Sequence, residues 1–209
     1  MLTNRREQGY TLVEIMIAMV LAVGSLTAVA SLVGYGIGVN ANLLNSARLN
    51  EELGNAYALM ASDLRRTGYT SSTVALVTDP ANNPSPFNNT IVVGAFAGEP
   101  ANSCILFAYD SNDNGVLDIA GPDERFGFRL REGAIEIRRN GALCTDIGWE
   151  DITDSDYIDV ENLLFTLNQV TDNGITTSTV ELTLLGVLVD NGNFSREYRS
   201  EIAVRNYDS

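Results

Sequence analysis

Between Ile15 and Val39 the chain carries no charged side chain, and that run constrains the molecule more than any other feature of it. A helix over those residues rises about 1.5 Å per residue and extends roughly 37 Å, enough to cross the hydrocarbon core of a bilayer. In front of it stands a polar leader, Met1 to Gly9, carrying Arg5 and Arg6. A secretory signal orders its parts as basic region, apolar region and small-residue cleavage site, and is discarded whole. Here the small residue, Gly9, precedes the apolar run. A cut after Gly9 removes the leader and keeps the hydrophobic segment, which is therefore expected in the finished structure.

The register of Gly9-Tyr10-Thr11-Leu12-Val13-Glu14, set between a basic leader and a long uncharged run, resembles the cleavage and methylation motif of prepilins. That family comprises type IV pilins, their minor pilins and the pseudopilins of type II secretion. Tyr10 departs from the pattern, which usually has phenylalanine, but keeps a ring of similar size. The resemblance implies that prepilin peptidase cuts between Gly9 and Tyr10 and that the new Tyr10 amine is methylated. It implies a single pass through the inner membrane with the C-terminal domain in the periplasm, then a place in a pilus at the cell surface, with the adhesion and motility that pili serve. A carboxylate at the edge of an apolar span is costly to bury and tends to have a partner. Read alone, Glu14 is a solvated residue at headgroup level; the resemblance implies instead that it pairs with the Tyr10 amine of a neighbouring subunit inside a filament core.

The chain after the apolar run keeps a helical period. Leu49, Leu53, Ala56, Tyr57, Met60 and Leu64 recur at spacings of three and four, the mark of one buried face, while Arg48, Glu51, Glu52, Asn55, Ser62 and Arg66 fall largely on the other. Gly68, just beyond Arg65 and Arg66, is a stop signal. Gly34, Gly36 and Gly38 make the joint between the halves the weakest part of the rod, at about 1 kcal/mol each relative to alanine; they serve either close helix packing or a segment that unwinds on assembly. The expected organisation is a leader at 1–9, a transmembrane or filament-core helix at 10–39, its amphipathic half at 40–68, and a periplasmic β-sheet domain at 69–209.

Beyond Gly68 the pattern becomes that of strands. Thr73 to Thr78, Thr90 to Phe96 and Ser103 to Tyr109 are short β-branched or apolar runs, the first two separated by a proline-punctuated loop from Asp79 to Pro86. Arg125 to Arg131 alternates, with Phe126, Phe128 and Leu130 facing one way and arginines mostly the other. A turn at Glu132-Gly133 joins it to Ile135 and Ile137 as a hairpin. Asn140-Gly141, Asn173-Gly174 and Asn191-Gly192 are further turn signals, the last two linking the runs Asn162 to Val170, Thr179 to Val189 and Ser195 to Val204. The run from Thr179 has the continuous apolar character of a central strand covered on both faces, and the charged run from Ser195 that of an edge. The expected fold is α+β: a long N-terminal helix packed on a mainly antiparallel sheet.

Composition narrows function. The net charge is -14, there is no histidine, and all 13 basic residues are arginine. Such an acidic chain offers no electrostatic footprint for nucleic acid. Without histidine or lysine, the commonest general base, Schiff-base chemistry and zinc-histidine sites are lacking, and no catalytic glycine-serine or phosphate-loop motif occurs. An enzyme is not expected. Cys104 and Cys144, in a domain bound for an oxidising compartment, are expected to be bridged.

One loop suggests an ion. In Asp110-Ser111-Asn112-Asp113-Asn114-Gly115-Val116-Leu117-Asp118, oxygen-bearing side chains stand first, third, fifth and ninth, a glycine sixth, and the Val116 carbonyl seventh, as in a calcium loop of the EF-hand type. The twelfth position, where a bidentate acid belongs, is Gly121, so Asp123 or Glu124 would have to reach back. The alternative is a plain turn, favoured by the same Asp, Asn and Gly; calcium is the expected cofactor because the oxygens exceed what a turn requires.

Within the prepilin family, Leu49 to Tyr69, with Ala61-Ser62-Asp63-Leu64-Arg65-Arg66-Thr67-Gly68-Tyr69, resembles the larger minor pilins, which implies a minor pilin involved in assembly or initiation of a type IV pilus. Its expected partners are other pilin and minor pilin subunits, prepilin peptidase and the inner membrane. The alternatives are a pseudopilin of type II secretion and a membrane-anchored binding domain that never polymerises.

Overall fold

The computed structural model describes residues 9–79, 82–172 and 175–204. Its dominant element is helix α1, Leu12–Arg66. The chain divides into two compact units, Met1–Asn45 and Ser46–Ser209. In the first, α1 exposes its apolar side chains all round, and Gly34, Gly36 and Gly38 lie within unbroken helix with nothing beside them. Among the described residues this is the one helix long and apolar enough to span a membrane.

In the second unit the predicted stripe is buried: Leu49, Leu53, Ala56, Met60 and Leu64 all face the core, with Ala61 beside them. The helix ends at Arg66, and Gly68 follows with φ +77°, donating its N–H to the Ala108 carbonyl at 3.0 Å. A left-handed glycine just past the last turn is how a helix turns its chain away without a Cβ clash. Arg66 lies over the ring of Tyr109 at 4.1 Å, and the Tyr109 hydroxyl donates to Asp63 at 3.3 Å. Burial, then the Asp63 carboxylate, push that hydroxyl up to about 12.

Two antiparallel sheets share this core. The five-stranded sheet runs β1 (Val92–Gly94), β2 (Cys104–Ala108), β3 (Arg125–Arg131), β4 (Ala134–Ile137) and β5 (Glu150–Asp151), in that order. The three-stranded sheet is β6 (Ile158–Asp172), β7 (Ile175–Leu188) and β8 (Asn191–Val204). Ile105, Phe107, Phe128, Leu130 and Ile135 from one sheet meet Leu163, Phe165, Val180, Leu182, Leu184 and Ile202 from the other around the helix stripe. β3 has the bounds its alternation indicates, and Glu132 and Gly133, both at positive φ, form the turn to β4. β8 is an edge strand, as its charges suggest.

Four expectations are corrected. Thr73–Thr78 is a short helix, α2, not a strand. Strand composition in a run of six residues is a weak preference that tertiary context overrides, and just before the run Ser71 is fastened to Asp110 by its N–H and its hydroxyl. The turn into β8 lies at Val189-Asp190, two residues before Asn191-Gly192. Leu188 pairs with Asn191, and Gly192, Asn193 and Phe194 are left over as a bulge before Val187 pairs with Ser195. β7 is central in order, but its outward side chains Thr183, Leu185 and Val187 remain half-exposed. The sheet itself is two sheets, because the helix stripe is covered from both. Asn173-Gly174 lies outside the described residues.

Where β7 packs on α1, Gly186 faces Leu53, and a Cβ there would stand 2.8 Å from Leu53 Cδ1. Leu53→Ala is expected to cost about 2–5 kcal/mol and Gly186→Ala about 1–3 kcal/mol. The double variant should lose less than their sum, since the added methyl enters the space the leucine vacates. Urea unfolding of the detergent-solubilised chain measures all three.

Candidate functional site

The N-terminal motif forms a capped helix start. Thr11 stands just before α1 and Glu14 in its first turn. The Thr11 N–H and hydroxyl both donate to Glu14 Oε2 at 3.0 Å, and the Glu14 N–H donates back to Thr11 Oγ1 at 3.3 Å. This reciprocal capping box satisfies donors that a helix start would otherwise leave open. Within one chain, then, the Glu14 carboxylate is held by its own neighbour. Gly9 and Tyr10 are exposed immediately before it; the rest of the leader, Arg5 and Arg6 included, lies outside the described residues.

The Asp-Asn loop is a densely bonded turn. Asp110 is buried and accepts from the Ser71 N–H at 2.9 Å, the Ser71 hydroxyl at 2.8 Å, the Gly115 N–H at 2.8 Å and the Asn114 N–H at 3.1 Å. The side-chain amides of Asn112 and Asn114 each donate to Asp118 Oδ2 at 2.8 Å. Of the two acids able to reach back, Glu124 does so. Fully buried, it accepts from the Ser111 N–H at 2.7 Å and the Asp118 N–H at 3.1 Å. Asp123 turns instead to Arg125, at 2.8 Å. Val116 is exposed and donates its N–H to Asn114 Oδ1 at 2.7 Å. Gly115, at φ +75°, is required: a Cβ would fall 1.9 Å from the Ser72 hydroxyl oxygen. Among the described residues no group of three or more His, Cys, Asp or Glu side chains is gathered closely enough to hold a metal.

Cys104 and Cys144 are bridged, with their Cα atoms 6.0 Å apart. The bridge ties β2 to the segment between β4 and β5. There the structure holds what the sequence pattern did not disclose. Arg129, placed on the solvent side of β3 by simple alternation, is fully buried. It forms an ion pair with Glu136 of β4, donates from Nη1 to the carbonyls of Cys144 at 2.8 Å and Asp146 at 2.6 Å, and lies between the rings of Phe96 and Trp149. The clue was indirect: a second cysteine after β4 implies chain laid back over β2 and its neighbour.

Comparisons with known proteins match both the N-terminal segment and the domain that follows it. A model of the prokaryotic N-terminal methylation motif matches residues 4–30, and a family model described as prepilin peptidase-dependent protein B matches residues 42–204. The chain belongs to the prepilin peptidase-dependent protein B family. It is thus a type IV prepilin-like protein and not an enzyme, with an apolar helix and methylation motif consistent with an inner-membrane prepilin. Prepilin peptidase-dependent protein B of Escherichia coli (strain K12) is 26% identical over 161 residues, covering 75% of each chain. No solved structure matches.

Burial alone would raise the Asp110 carboxyl, but the hydrogen bonds from Ser71, Gly115 and Asn114 outweigh it and hold the group below the usual aspartate value. A carboxyl more acidic in the folded chain than in the unfolded one stabilises fully above the unfolded value, about 3.9, and the effect is lost as pH falls through the folded value. Melting temperature followed from about pH 6 to about pH 3 should therefore drop less steeply in Asp110→Asn than in the parent chain.

Proposed function

We propose that the chain is a minor pilin that takes part in assembling or initiating a type IV pilus. The observation that carries this reading is the register of Gly9, Tyr10 and Glu14 against an exposed apolar helix, α1, which continues into a folded domain. Prepilin peptidase cuts between Gly9 and Tyr10, and the Tyr10 amine is methylated. Before assembly residues 10–39 hold the protein in the inner membrane with the 69–209 domain in the periplasm; afterwards they lie in the filament core. The Thr11–Glu14 box gives Glu14 a way to wait: its carboxylate is occupied locally until the amine of a neighbouring subunit replaces the hydroxyl. A cation can displace a neutral donor because charge-assisted hydrogen bonds are roughly twice as strong as neutral ones.

The test is the intact mass of the mature chain from membranes, followed by recovery of Glu14→Ala in sheared filaments. The expected results are a chain beginning at methylated Tyr10, and a variant that inserts normally but is depleted from filaments. A wild-type chain retaining Met1, or equal recovery of variant and parent, contradicts the reading. Normal processing without recovery of either in any filament favours an anchored binding domain.

We also propose that the loop from Asp110 takes calcium as a structural ion, held by Asp110, Asn112, Asn114, the Val116 carbonyl, Asp118 and Glu124. The all-oxygen donor set suits a hard cation, and the Asp110–Gly115 bond and the return of Glu124 give the loop a compact frame. The ion would order the loop and do no chemistry. Millimolar calcium should raise the melting temperature of the parent chain and leave Asp118→Ala unmoved. Identical melting with calcium and with chelator would leave a turn closed by its own hydrogen bonds.

A further inference from the structure

The five-stranded sheet has a second, smaller apolar layer on the face away from α1. Cys104, Leu106 and Cys144 are buried there with Trp149 packed against them, apart from the main core. The covering segment, residues 140–149, contains no helix or strand. Its attachments are few and specific. Besides the disulfide, the Arg138 side chain donates to the carbonyls of Ala142 at 2.7 Å and Gly141 at 2.9 Å, and Arg129 donates to those of Cys144 and Asp146. Trp149 closes the segment on itself, its Nε1–H donating to the Leu143 carbonyl at 3.1 Å.

Arg129 and the bridge depend on each other. A buried guanidinium must find acceptors, and Glu136 supplies only part of what it needs. The rest come from two carbonyls on the covering segment. One of its nitrogens, Nη2, has no hydrogen-bond partner at all, so the group has no acceptor to spare. With the bridge open, nothing covalent holds Cys144 beside β2. The ordering cost of the segment then falls on hydrogen bonds to two arginines, and water becomes a competing acceptor for Arg129. The main core shares none of these contacts, so opening is local.

We propose that residues 140–149 form a latch set by the redox state of Cys104 and Cys144. Bridged, the segment seals Arg129 between Phe96 and Trp149. Reduced, it lifts away, exposing Arg129 and the outer face of β2 while the helix-sheet core stays folded. Reduction by a dithiol breaks the Sγ–Sγ bond; the two cysteines gain two electrons and two protons, and the reagent closes to its own disulfide. The chemistry stands on the sheet face alone. Its meaning in the cell rests on the reading above, in which the domain reaches an oxidising compartment and would complete this surface only there.

The chain contains a single tryptophan, so Trp149 reports the latch directly. The experiment compares the full-length, detergent-solubilised protein with and without dithiothreitol. Reduction should shift Trp149 emission to the red and speed amide hydrogen exchange in residues 140–149 by at least about tenfold, with exchange in 49–64 and in β7 unchanged. In Arg129→Met with the bridge intact, exchange in the segment should already be raised, and reduction should add at most about threefold more. Unchanged emission and exchange on reduction, or loss of protection throughout the domain, overturns the latch. So does an Arg129→Met protein whose response to reduction equals the parent's. The unmutated chain carries the first comparison by itself if that variant does not fold. None of these readings depends on processing at Gly9, so a failed latch is distinguishable from a failed pilin assignment.

Discussion

The domain depends on desolvating one face of α1 between Leu49 and Leu64. A helix in water gains little from its own hydrogen bonds, and its stability comes chiefly from packing an apolar stripe. Here that stripe is covered from both sides, by the inner faces of two separate antiparallel sheets. Neither sheet meets the other through a continuous ladder. They touch through β6, whose Val160 and Phe165 N–H groups donate to the Gly133 and Asn102 carbonyls at 2.8 and 3.0 Å, and the helix stripe fills the core they share. Gly186 marks how close the helix comes: a side chain on β7 at that point would occupy the space of Leu53.

Charge is handled in an unusual way around that core. An acidic chain whose every cation is arginine uses the guanidinium for binding carbonyls as well as for surface ion pairs. Arg129 and Arg138 between them hold four carbonyls of the loop after β4. Lysine could not substitute: its compact ammonium lacks the planar fork that reaches two acceptors at once and stacks on rings. Desolvation, together with the nearby Arg125 cation, lowers Arg138 from its usual value. The carboxylates do the converse work, with Asp110 and Glu124 gathering backbone N–H groups at a loop that has no ladder to receive them.

Much of the fold could be read from period and punctuation. The stripe of α1, the limits of β3, the Glu132-Gly133 turn and the edge character of β8 all express patterns of local origin, and the structure keeps them. What escaped was decided at a distance. Thr73–Thr78 has strand composition, yet it is helical, and the chain just before it is anchored by Asp110, some forty positions away, which takes the Ser71 N–H. Arg129 looks solvent-facing on β3 because alternation says which face a residue occupies, not whether later chain will cover it. Whether Asp123 or Glu124 returns to the loop from Asp110 turned on Arg125, which pairs with the first and leaves the second free to turn inward. At the N terminus, Thr11-x-x-Glu14 has the spacing of a capping box, a local signal that the sequence does carry.

The edge strand β8 is fastened to the helix as well as to its sheet. Tyr198 stacks on Tyr57 with ring centroids 5.1 Å apart, its hydroxyl lies in the gap that Gly54 leaves open and donates to the Asn50 carbonyl at 3.3 Å, and Tyr57 bonds to Ser200. These contacts bridge the last strand directly to the middle of the amphipathic half of α1. Their consequence is mechanical. A load carried by α1 therefore reaches β8 directly, through ring and hydroxyl contacts, as well as through the ladder that β8 shares with β7.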